Sequence, residues 1–513
     1  MNIVKSHKTN IIMYRFRALP VILVAVLLLS SCSLFKKKKG DSEVSSTTGW
    51  RYNDPDNGGF EVAVGADQKT GPGLVLIEGG VFRMGRVQQD VMFDWNNVPR
   101  TVTVSSFYMD ETEVKNVDYR EYLYWLRRVY QASPEVYRNH LPDTLVWRSP
   151  AGFNDPYVEY YFRHPSYNNY PVVGVSWVKA SDYCLWRTDR VNEQILIDEG
   201  ELNFDPNQLN ENNFNTEAYL ARLYDGAVND KGLRPDLSGA NTTRKTNFED
   251  GILLPRYRLP TEAEWEFAAY ALKGNTFEER VYERRIYPWD GHNVRNSSQK
   301  YRGEMMANFV RARGDYMGVA GSLNDNGAIT VDVKSYWPND YGLYCMAGNV
   351  NEWVLDVYRP LSSTDVDEFN PFRGNVYTDL KRDANGNVVQ KDKLGRLFID
   401  TVKPKDVAQR YNYRKGDYRN YKDGDQKSSL DQIDWSAQLE DKETSTRMYP
   451  QDAGAMDYNS LINDNARVYK GGSWKDRAYW LNPSSRRFLD QNESRDDLGF
   501  RCAMIRVGSP SGL

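Results

Sequence analysis

The sequence predicts an α+β protein of short strands and separated helices, with much of its core in irregular segments. Three observations support this. An aliphatic segment at 74–77, a glycine turn and a second apolar segment at 81–85 predict a hairpin. Residues 261–269 carry the signals of a well-capped helix. Aromatic residues make up 13% of the chain, with 35 Tyr and 13 Trp, which favours a loop-rich core with large aromatic anchors.

The helix predicted at 261–269 has agreeing signals at its start. Thr261 is the predicted N-cap, and Glu264 three residues later completes a capping box. The carboxylates at 262, 264 and 266 lie where the helix dipole favours negative charge. An apolar stripe of one large and two small side chains follows at Trp265, Ala268 and Ala269. These residues predict a core helix and carry no chemistry by themselves.

The N-terminus has the pattern of a lipoprotein signal peptide. Residues 1–17 are basic and contain no acid, and 18–29 form an aliphatic segment too short for a comfortable membrane span. The segment ends in Ser30, Ser31 and Cys32, which resembles a bacterial lipobox, so we expect cleavage after residue 31 and lipidation of Cys32. The alternatives are an ordinary signal peptide with a chance cysteine, or a signal anchor.

The domain organisation follows from this start. We predict a signal peptide at 1–31, a lipidated tether and N-terminal extension at 32–70, one large domain at 71–507 and a tail at 508–513. The lysines at 36–39 either lie against anionic lipid head groups or are solvated. Apart from the N-terminal segment, the chain has no hydrophobic run long enough to span a membrane.

Composition argues against several classes of function. The net charge of −4, from 66 basic and 70 acidic residues, does not favour a nucleic-acid-binding surface. Cys184, Cys345 and Cys502 remain besides Cys32, and an odd number cannot all pair, so this is not a disulfide scaffold. We interpret Cys184 and Cys502 as buried thiols because their surroundings are apolar. The sequence has no glycine-rich phosphate loop, no His-Glu-x-x-His motif and no nucleophile elbow.

Several blocks, in order along the chain, resemble the formylglycine-generating-enzyme (sulfatase-modifying factor) family. They are Arg-Leu-Pro-Thr-Glu-Ala-Glu-Trp-Glu at 258–266 and the segments 107–114, 338–344, 348–353, 467–474 and 498–503. The resemblance implies a C-type-lectin-like α+β fold with little regular secondary structure. Two long insertions interrupt the blocks, at about 187–257 and about 360–465, and residues 383–387 within the second predict a hairpin turn.

The resemblance also places the family's oxidase centre, in which two cysteine thiolates hold copper. Soft thiolates are the ligands that Cu(I) prefers. In this sequence Asp476 stands where the first cysteine would fall, and Leu481 stands near the second. We therefore expect no copper and no enzyme activity.

The family also binds calcium structurally, and one of its sites matches this sequence. Asn308 and Asp325 occupy the side-chain positions, with the backbone of Phe309 and Gly327 nearby, and such oxygen ligands suit Ca²⁺. A second site is weaker, because Cys345 replaces an oxygen-bearing ligand while Glu352 remains. The alternative is that these residues only hydrogen-bond their loops.

A finer likeness is to the gliding-motility and type IX secretion lipoproteins of Bacteroidetes, of the PorK/GldK and GldJ kind. It rests on the segments 48–60 and 110–114. It implies a non-catalytic structural component on the periplasmic face of the outer membrane, which self-associates and joins a periplasmic partner in a ring. A lectin-like module that binds glycan or peptide remains an alternative, and an active oxidase is disfavoured.

Interaction surfaces are expected on the insertions, because a fold without its chemistry must act through added surface. The second insertion contains tyrosines interleaved with arginine, a composition enriched in interfaces. The predicted interaction residues are Tyr411, Tyr413, Tyr418 and Tyr421.

Overall fold

The structure is a computed structural model, and it describes most of the chain from residue 44 to residue 508. The described residues are 44–63, 67–87, 92–94, 96–150, 152–238, 241–276, 278, 282, 285–311, 327–358, 372, 374, 378–401 and 465–508. They fall into two compact units. The small unit combines the chain up to 64 with 234–244, and the large unit contains the rest. Cys32 and the four tyrosines predicted to make contacts lie outside the described residues.

Strands are short, and helices lie between them along the chain, as expected for an α+β fold. The strands are β1 (Leu74–Ile77), β2 (Gly80–Met84), β3 (Arg100–Val104), β4 (Phe107–Asp110), β5 (Arg234–Pro235), β6 (Thr243–Arg244), β7 (Tyr257–Arg258), β8 (Asn351–Val357), β9 (Thr378–Leu380), β10 (Ile399–Thr401), β11 (Ala466–Lys470), β12 (Arg487–Asp490), β13 (Leu498–Gly499) and β14 (Ala503–Ile505). The α-helices are α1 (Asn116–Val129), α2 (Pro134–His140), α3 (Asp155–Tyr160), α4 (Trp177–Asp198), α5 (Thr216–Leu220) and α6 (Glu262–Tyr270). Among the described residues, no helix is long and apolar enough to cross a membrane.

The first four-stranded sheet of the large unit brings both ends of that unit together. Its order is β1-β4-β14-β7, and all its pairs are antiparallel. Every residue of β4 is buried. Tyr108 packs into the core formed with α1 and α4, whereas Met109 packs into the core formed with α6. Side chains alternate across a strand, so this sheet separates the two main cores.

The second four-stranded sheet has the order β12-β11-β8-β13, and it carries the segment where the resemblance places the copper centre. Strands β8 and β13 are parallel, with Leu498 opposite Asn351. The pairing of β11 with β8 is interrupted by a register shift between Arg467 and Tyr469. The hairpin predicted at 74–85 is wrong in its pairing, because β1 pairs with β4 and β2 pairs with β3.

Helix α6 begins where the sequence predicts. The Thr261 hydroxyl accepts a hydrogen bond from the Glu264 amide at 3.2 Å, and the Glu264 carboxylate accepts one from the Thr261 amide at 2.9 Å. The helix ends at Ala271, which adopts a left-handed conformation with φ of 46°. Trp265, Ala268 and Ala269 are fully buried, which confirms the predicted apolar stripe.

Two carboxylates of α6 are also buried, which the sequence analysis did not predict. Lys470 donates to Glu262 at 3.1 Å and to Glu266 at 2.8 Å, and its side chain has no exposed surface. Arg486 forms a further ion pair with Glu262 at 2.8 Å. Although burial would raise the pKa of Glu262, Arg486, Lys470 and Arg100 together lower it to about 2. The helix is therefore held by a buried ionic network as well as by apolar packing.

Residue 187, where the first insertion is predicted to begin, lies inside helix α4. The helix continues without a break to Asp198, and Ser176 caps its start by accepting from the Lys179 amide at 3.4 Å. Leu196 near the end of the helix and residues beyond it form a separate apolar core, which we call the accessory core. Its buried members are Leu196, Leu202, Phe214, Ala218, Tyr219, Tyr224, Leu253 and Leu397.

Leu397 joins the two predicted insertions, because it belongs to the second and packs among residues of the first. Polar contacts reinforce this packing. Asn213 donates to the Leu394 carbonyl at 2.8 Å, and Lys391 donates to the Glu211 carbonyl at 2.8 Å. The predicted turn at 383–387 is present, with Asp383 accepting the Gly386 amide at 3.0 Å. Strand β9 before the turn pairs with β10 rather than with the residues just after the turn.

The small unit takes the N-terminal extension and part of the predicted first insertion. Glu61 accepts from the Arg244 guanidinium at 2.8 Å and from the Leu237 amide at 2.8 Å. Gly59 approaches the hairpin formed by β5 and β6 so closely that a Cβ on Gly59 would lie 1.7 Å from the Leu237 carbonyl oxygen. The hairpin of β5 and β6 is thus bound to residues 44–63, whereas the sequence analysis placed them in different regions.

Candidate functional site

The candidate site is the segment after β11, where the family resemblance places the copper-binding cysteines. Gly471 and Gly472 turn the chain away from the strand with φ values of 102° and 69°. A Cβ on Gly472 would lie 2.8 Å from the carbonyl oxygen of Trp480. Glycine is therefore required for both the positive φ and the close approach of the following turn. This geometry brings Asp476 back against β12.

Asp476 is locked in a two-pronged ion pair. Arg487 donates to its two carboxylate oxygens at 2.7 and 2.8 Å. Ser473 donates to Oδ2 at 2.7 Å and Asn351 at 3.2 Å. Burial opposes the charge of Asp476, but Arg487 and these hydrogen bonds hold the pKa of the carboxyl below its usual range. Both oxygens are occupied, and the adjacent guanidinium disfavours a metal cation at the same place.

Leu481, at the position near the second expected cysteine, belongs to the core. Its side chain has no exposed surface and packs in a cluster with Met305, Ala307 and Phe309. Between the two positions, Trp480 lies under the Arg487 guanidinium at 4.4 Å from the ring centre. Aromatic and ionic contacts therefore fill the segment that would have to present two thiolates.

The three cysteines within the described residues lie elsewhere and are all buried. Cys184 and Cys502 approach to 3.4 Å between their sulfur atoms, and Cys345 donates to the Val333 carbonyl at 3.5 Å. Burial raises the pKa of the Cys345 and Cys502 thiols well above the ordinary value. Because the thiolate is the metal ligand and the nucleophile, these protonated thiols suit neither role.

Three of the four residues predicted for the first calcium site are among the described residues. Asn308 is buried and donates to the Ile329 carbonyl at 2.7 Å. A Cβ on Gly327 would lie 3.0 Å from the Asn308 amide nitrogen, so these two residues are neighbours. Phe309 is buried beside them in the chain, and Asp325 lies outside the described residues. The oxygen donors suit Ca²⁺ chemically and would hold it as a structural ion.

The second predicted calcium site does not fit a metal ion. Glu352 accepts from Arg501 at 2.6 Å on each oxygen, and its Oε2 also accepts from the Trp265 indole at 2.7 Å. Its charge is neutralised within the protein, and Cys345 offers a protonated sulfur rather than an oxygen. In the described part of the chain, no group of three or more His, Cys, Asp or Glu side chains could hold a metal.

Glu113 is a second buried carboxyl beside this ion pair. It is 1% exposed, and its Oε1 accepts from the Asn349 amide at 2.9 Å. Its Oε2 has no hydrogen-bond partner. Burial raises the pKa of Glu113 to about 8, with Glu352 adding to the rise and Arg501 opposing it. The carboxyl is therefore largely protonated in the folded protein at neutral pH.

Sequence reasoning identified Asp476 and Leu481 but missed the partners that decide their chemistry. Asn351 lies inside a block that the family resemblance singled out, without an assigned role. Arg487 is eleven residues beyond Asp476, on a strand that the sequence did not predict. A spacing of eleven residues gives no local signal for an ion pair.

The class of protein is that of sulfatase-modifying-factor-like proteins. In this chain Asp476 and Leu481 stand where the resemblance predicts the two thiolates. The chain belongs to the Sulfatase-modifying factor enzyme 1-like domain family, whose model matches residues 59–401. It is similar to mouse (Mus musculus) formylglycine-generating enzyme, with 24% identity over 375 residues, 68% of this chain and 74% of the relative.

It is also similar to bovine (Bos taurus) inactive C-alpha-formylglycine-generating enzyme 2, with 25% identity over 314 residues, 56% of this chain and 71% of the relative. The relatives thus include proteins named as enzymes and proteins named as inactive. Among solved structures, PvdO from Pseudomonas aeruginosa aligns over 84% of this chain and 94% of that chain, with 14% identity and a TM-score of 0.39.

Proposed function

We propose that this protein is a non-catalytic member of the family, which acts through its surfaces as a structural component. The observation that carries the proposal is the Asp476–Arg487 ion pair in the place of the first copper-binding thiolate. A carboxylate is a hard ligand, and here both oxygens are already bound to a cation. Leu481 offers no ligand atom at the second position. The chain therefore has no group that would hold Cu(I) there.

The place of action that we propose is the periplasmic face of the outer membrane. The support is the signal-peptide pattern at 1–31, the lipobox that ends in Cys32 and the lysines at 36–39. Lipidation of Cys32 would anchor the protein stably, since each buried methylene adds about 0.8 kcal/mol.

The finer role that we propose is in the type IX secretion and gliding-motility machinery. The support is the likeness of segments 48–60 and 110–114 to the lipoproteins of that machinery. The protein would self-associate and join a periplasmic partner in a ring. The surface added around the accessory core offers area for such contacts, because it lies on segments that the family blocks do not require.

The absence of oxidase activity is tested with the purified full-length protein, copper, oxygen and a cysteine-containing sulfatase peptide. We expect no aldehyde product, and an active family member provides the positive control. The Asp476→Cys/Leu481→Cys double variant is a matched comparison, because it restores the ligand atoms without the rest of the site. Aldehyde formation by the wild-type protein, after removal of trace enzyme, would contradict the proposal.

The structural role is tested by purification from solubilised outer membranes. Co-purification of a periplasmic protein in stoichiometric amount, within a large complex, supports a structural role in the secretion machinery. The Cys32→Ala variant should be lost from the membrane fraction and should not incorporate a fatty-acid analogue. A wild-type protein that elutes without a protein partner, or a Cys32→Ala variant that is lipidated as usual, contradicts the proposal.

A lectin-like module that binds glycan or peptide is a second candidate function. It is favoured by a cleft on the large unit that is distant in sequence from the segment of Asp476. A glycan array and a peptide array, each probed with the purified protein, distinguish this function from purely structural assembly.

A further inference from the structure

The large unit contains a cleft of about 550 Å³ that the family's chemistry does not use. The turn after β4, the first turns of α1, the middle of α4 and the segment 332–334 form its walls. Six carboxylate side chains line it, together with four cationic ones. The carboxylates are Asp110, Glu111, Glu113, Asp118, Glu121 and Asp332.

The four cations of the cleft are all bound within the protein. Arg187 donates to both oxygens of Asp110 at 2.8 and 2.9 Å. Lys334 donates to Glu111 at 2.7 Å, Lys115 lies 3.6 Å from Asp118, and Arg190 pairs with Glu193 outside the lining. None of the four therefore remains available for a negatively charged ligand.

Two carboxylates of the lining are left without a cation, and one buried carboxyl lacks a hydrogen-bond partner on one oxygen. Glu121 and Asp332 form no ion pair with any described residue. Glu113 is 1% exposed, and its Oε2 has no hydrogen-bond partner. A buried carboxyl oxygen without a partner is unusual, because native proteins satisfy most buried polar atoms. A cationic hydrogen-bond donor in the cleft would therefore neutralise Glu121 and Asp332 and would bond to the free oxygen of Glu113.

The aromatic part of the wall also suits an organic cation. Tyr183 and Trp186 lie 5.5 Å apart between ring centres and both line the cleft. Positive groups are attracted to the faces of such rings. A metal ion is a poorer occupant, since no described cluster of three His, Cys, Asp or Glu side chains could coordinate one. The volume also exceeds that of a single ion and suits an extended side chain.

We propose that this cleft binds an alkylammonium or guanidinium group, as carried by a lysine or arginine side chain of a partner polypeptide. Glu121 and Asp332 neutralise the cation, and the uncharged Glu113 carboxyl accepts a hydrogen bond from it at Oε2. The Tyr183–Trp186 wall packs against its aliphatic stem. The same chemistry is present in free polyamines, which are the second source that the experiment distinguishes. The site does not depend on the proposed role in secretion.

The test measures binding of short neutral-flanked peptides to the full-length protein in detergent by isothermal titration calorimetry. One peptide carries lysine, and its matched control carries norleucine, which has the same stem without the charge. Spermidine is titrated as the free amine. We expect the lysine peptide to bind at least tenfold more tightly than the norleucine peptide. Tighter binding of spermidine than of the lysine peptide would assign the cleft to free amines within the same proposal.

Variants locate the binding in the cleft. Asp332→Asn and Glu121→Gln should each weaken binding of the lysine peptide about tenfold or more. Glu135→Gln, at an exposed carboxylate on α2 outside the cleft, should bind as the wild type does. Melting curves identify any variant that fails to fold, and Glu121→Gln, at an exposed position, decides the outcome if Asp332→Asn unfolds.

Two outcomes would overturn the proposal. One is equal binding of the lysine and norleucine peptides. The other is binding that Asp332→Asn leaves unchanged in a folded protein. Stoichiometric Ca²⁺ binding at the cleft that displaces the lysine peptide would replace the organic cation with a metal ion.

Discussion

At the residue scale, position 476 shows how one side chain determines the chemistry of a site. A thiolate there would be a soft metal ligand, whereas the carboxylate is bound through both oxygens to Arg487. The identity of the residue could be read from the sequence, and the prediction that no copper binds here rests on it. Its partners could not be predicted, because Arg487 and Asn351 reach it only through the strand pairing of β8, β11 and β12.

Glu113 predicts a pH dependence of stability. Burial raises its pKa from 4.5 to about 8, so the folded state holds a proton that the unfolded state releases. The stabilisation from this group is fully present below about pH 4.5 and is lost as the pH rises to about 8. Glu113→Gln is neutral in both states. Its stability relative to the wild type should therefore increase with pH across that window, by up to about 1.4 kcal/mol per pH unit.

The measurement is chemical denaturation of both proteins across that pH window. Arg501, Glu352 and Asn349 surround the group and are present in both proteins, so the difference between the two stability curves reports on Glu113. If the difference in stability between the two proteins did not change with pH, Glu113 would be ionised in the folded protein and the prediction would be wrong.

The thiols of Cys184 and Cys502 predict a disulfide under oxidising conditions. Their sulfur atoms are 3.4 Å apart, and the bond would link α4 to the residue before β14. By loop-closure entropy, a disulfide that closes so long a loop stabilises by roughly 5 kcal/mol. Mass spectrometry after alkylation of the unfolded, oxidised protein should find Cys345 labelled and the other two linked. Cys184→Ser should leave Cys502 labelled, and labelling of all three in the wild type would contradict the prediction.

At the element scale, the start of α6 is determined by local sequence, whereas the burial of its carboxylates is not. The capping box of Thr261 and Glu264 is a local signal, and the helix begins where that signal predicts. The burial of Glu262 and Glu266 is not local, since their partner Lys470 lies more than two hundred residues away. The helix dipole explains why acidic residues occur near the start of the helix, but it does not predict that they are buried.

Lys470 should be the most costly lysine to replace. Lys470→Met removes the cation from two fully buried carboxylates, which should cost about 3–5 kcal/mol. The matched control is Lys69→Met, whose ion pair with Glu199 is largely exposed and should contribute less than about 1 kcal/mol. Urea denaturation measures both. Similar losses for the two variants would mean that the network around α6 does not support the helix.

At the scale of the whole molecule, the family blocks predict the core, but the boundaries of the insertions come from long-range contacts. Family resemblance identified segments such as 107–114 and 467–474, which contribute side chains to both main cores. The insertions were treated as independent loops, whereas Leu397 of the second is buried among residues of the first. Similarly, 234–244 belongs with the N-terminal extension. Such pairings carry no periodic signal in one sequence.

The accessory core gives a prediction that separates folding from assembly. Replacing 402–464 with a short Gly/Ser linker retains Leu397 and β10, so the melting temperature should stay close to that of the wild type. Loop closure itself costs little, because its entropy changes only logarithmically with length. Replacing 360–465 removes Leu397 as well and should destabilise the protein, as should Leu397→Ala, by about 2–5 kcal/mol.

Assembly is then measured on the variant with the shorter deletion, which removes the predicted contact residues Tyr411, Tyr413, Tyr418 and Tyr421. If this segment binds the periplasmic partner, the variant should reach the membrane and melt normally, yet elute without the large complex. The Tyr→Ala variant at all four positions is the matched test of the side chains alone, since it keeps the length of the segment. A shorter deletion that assembles at wild-type size would move the interface to the rest of the surface, because folding and anchoring would be intact while the proposed contacts were gone.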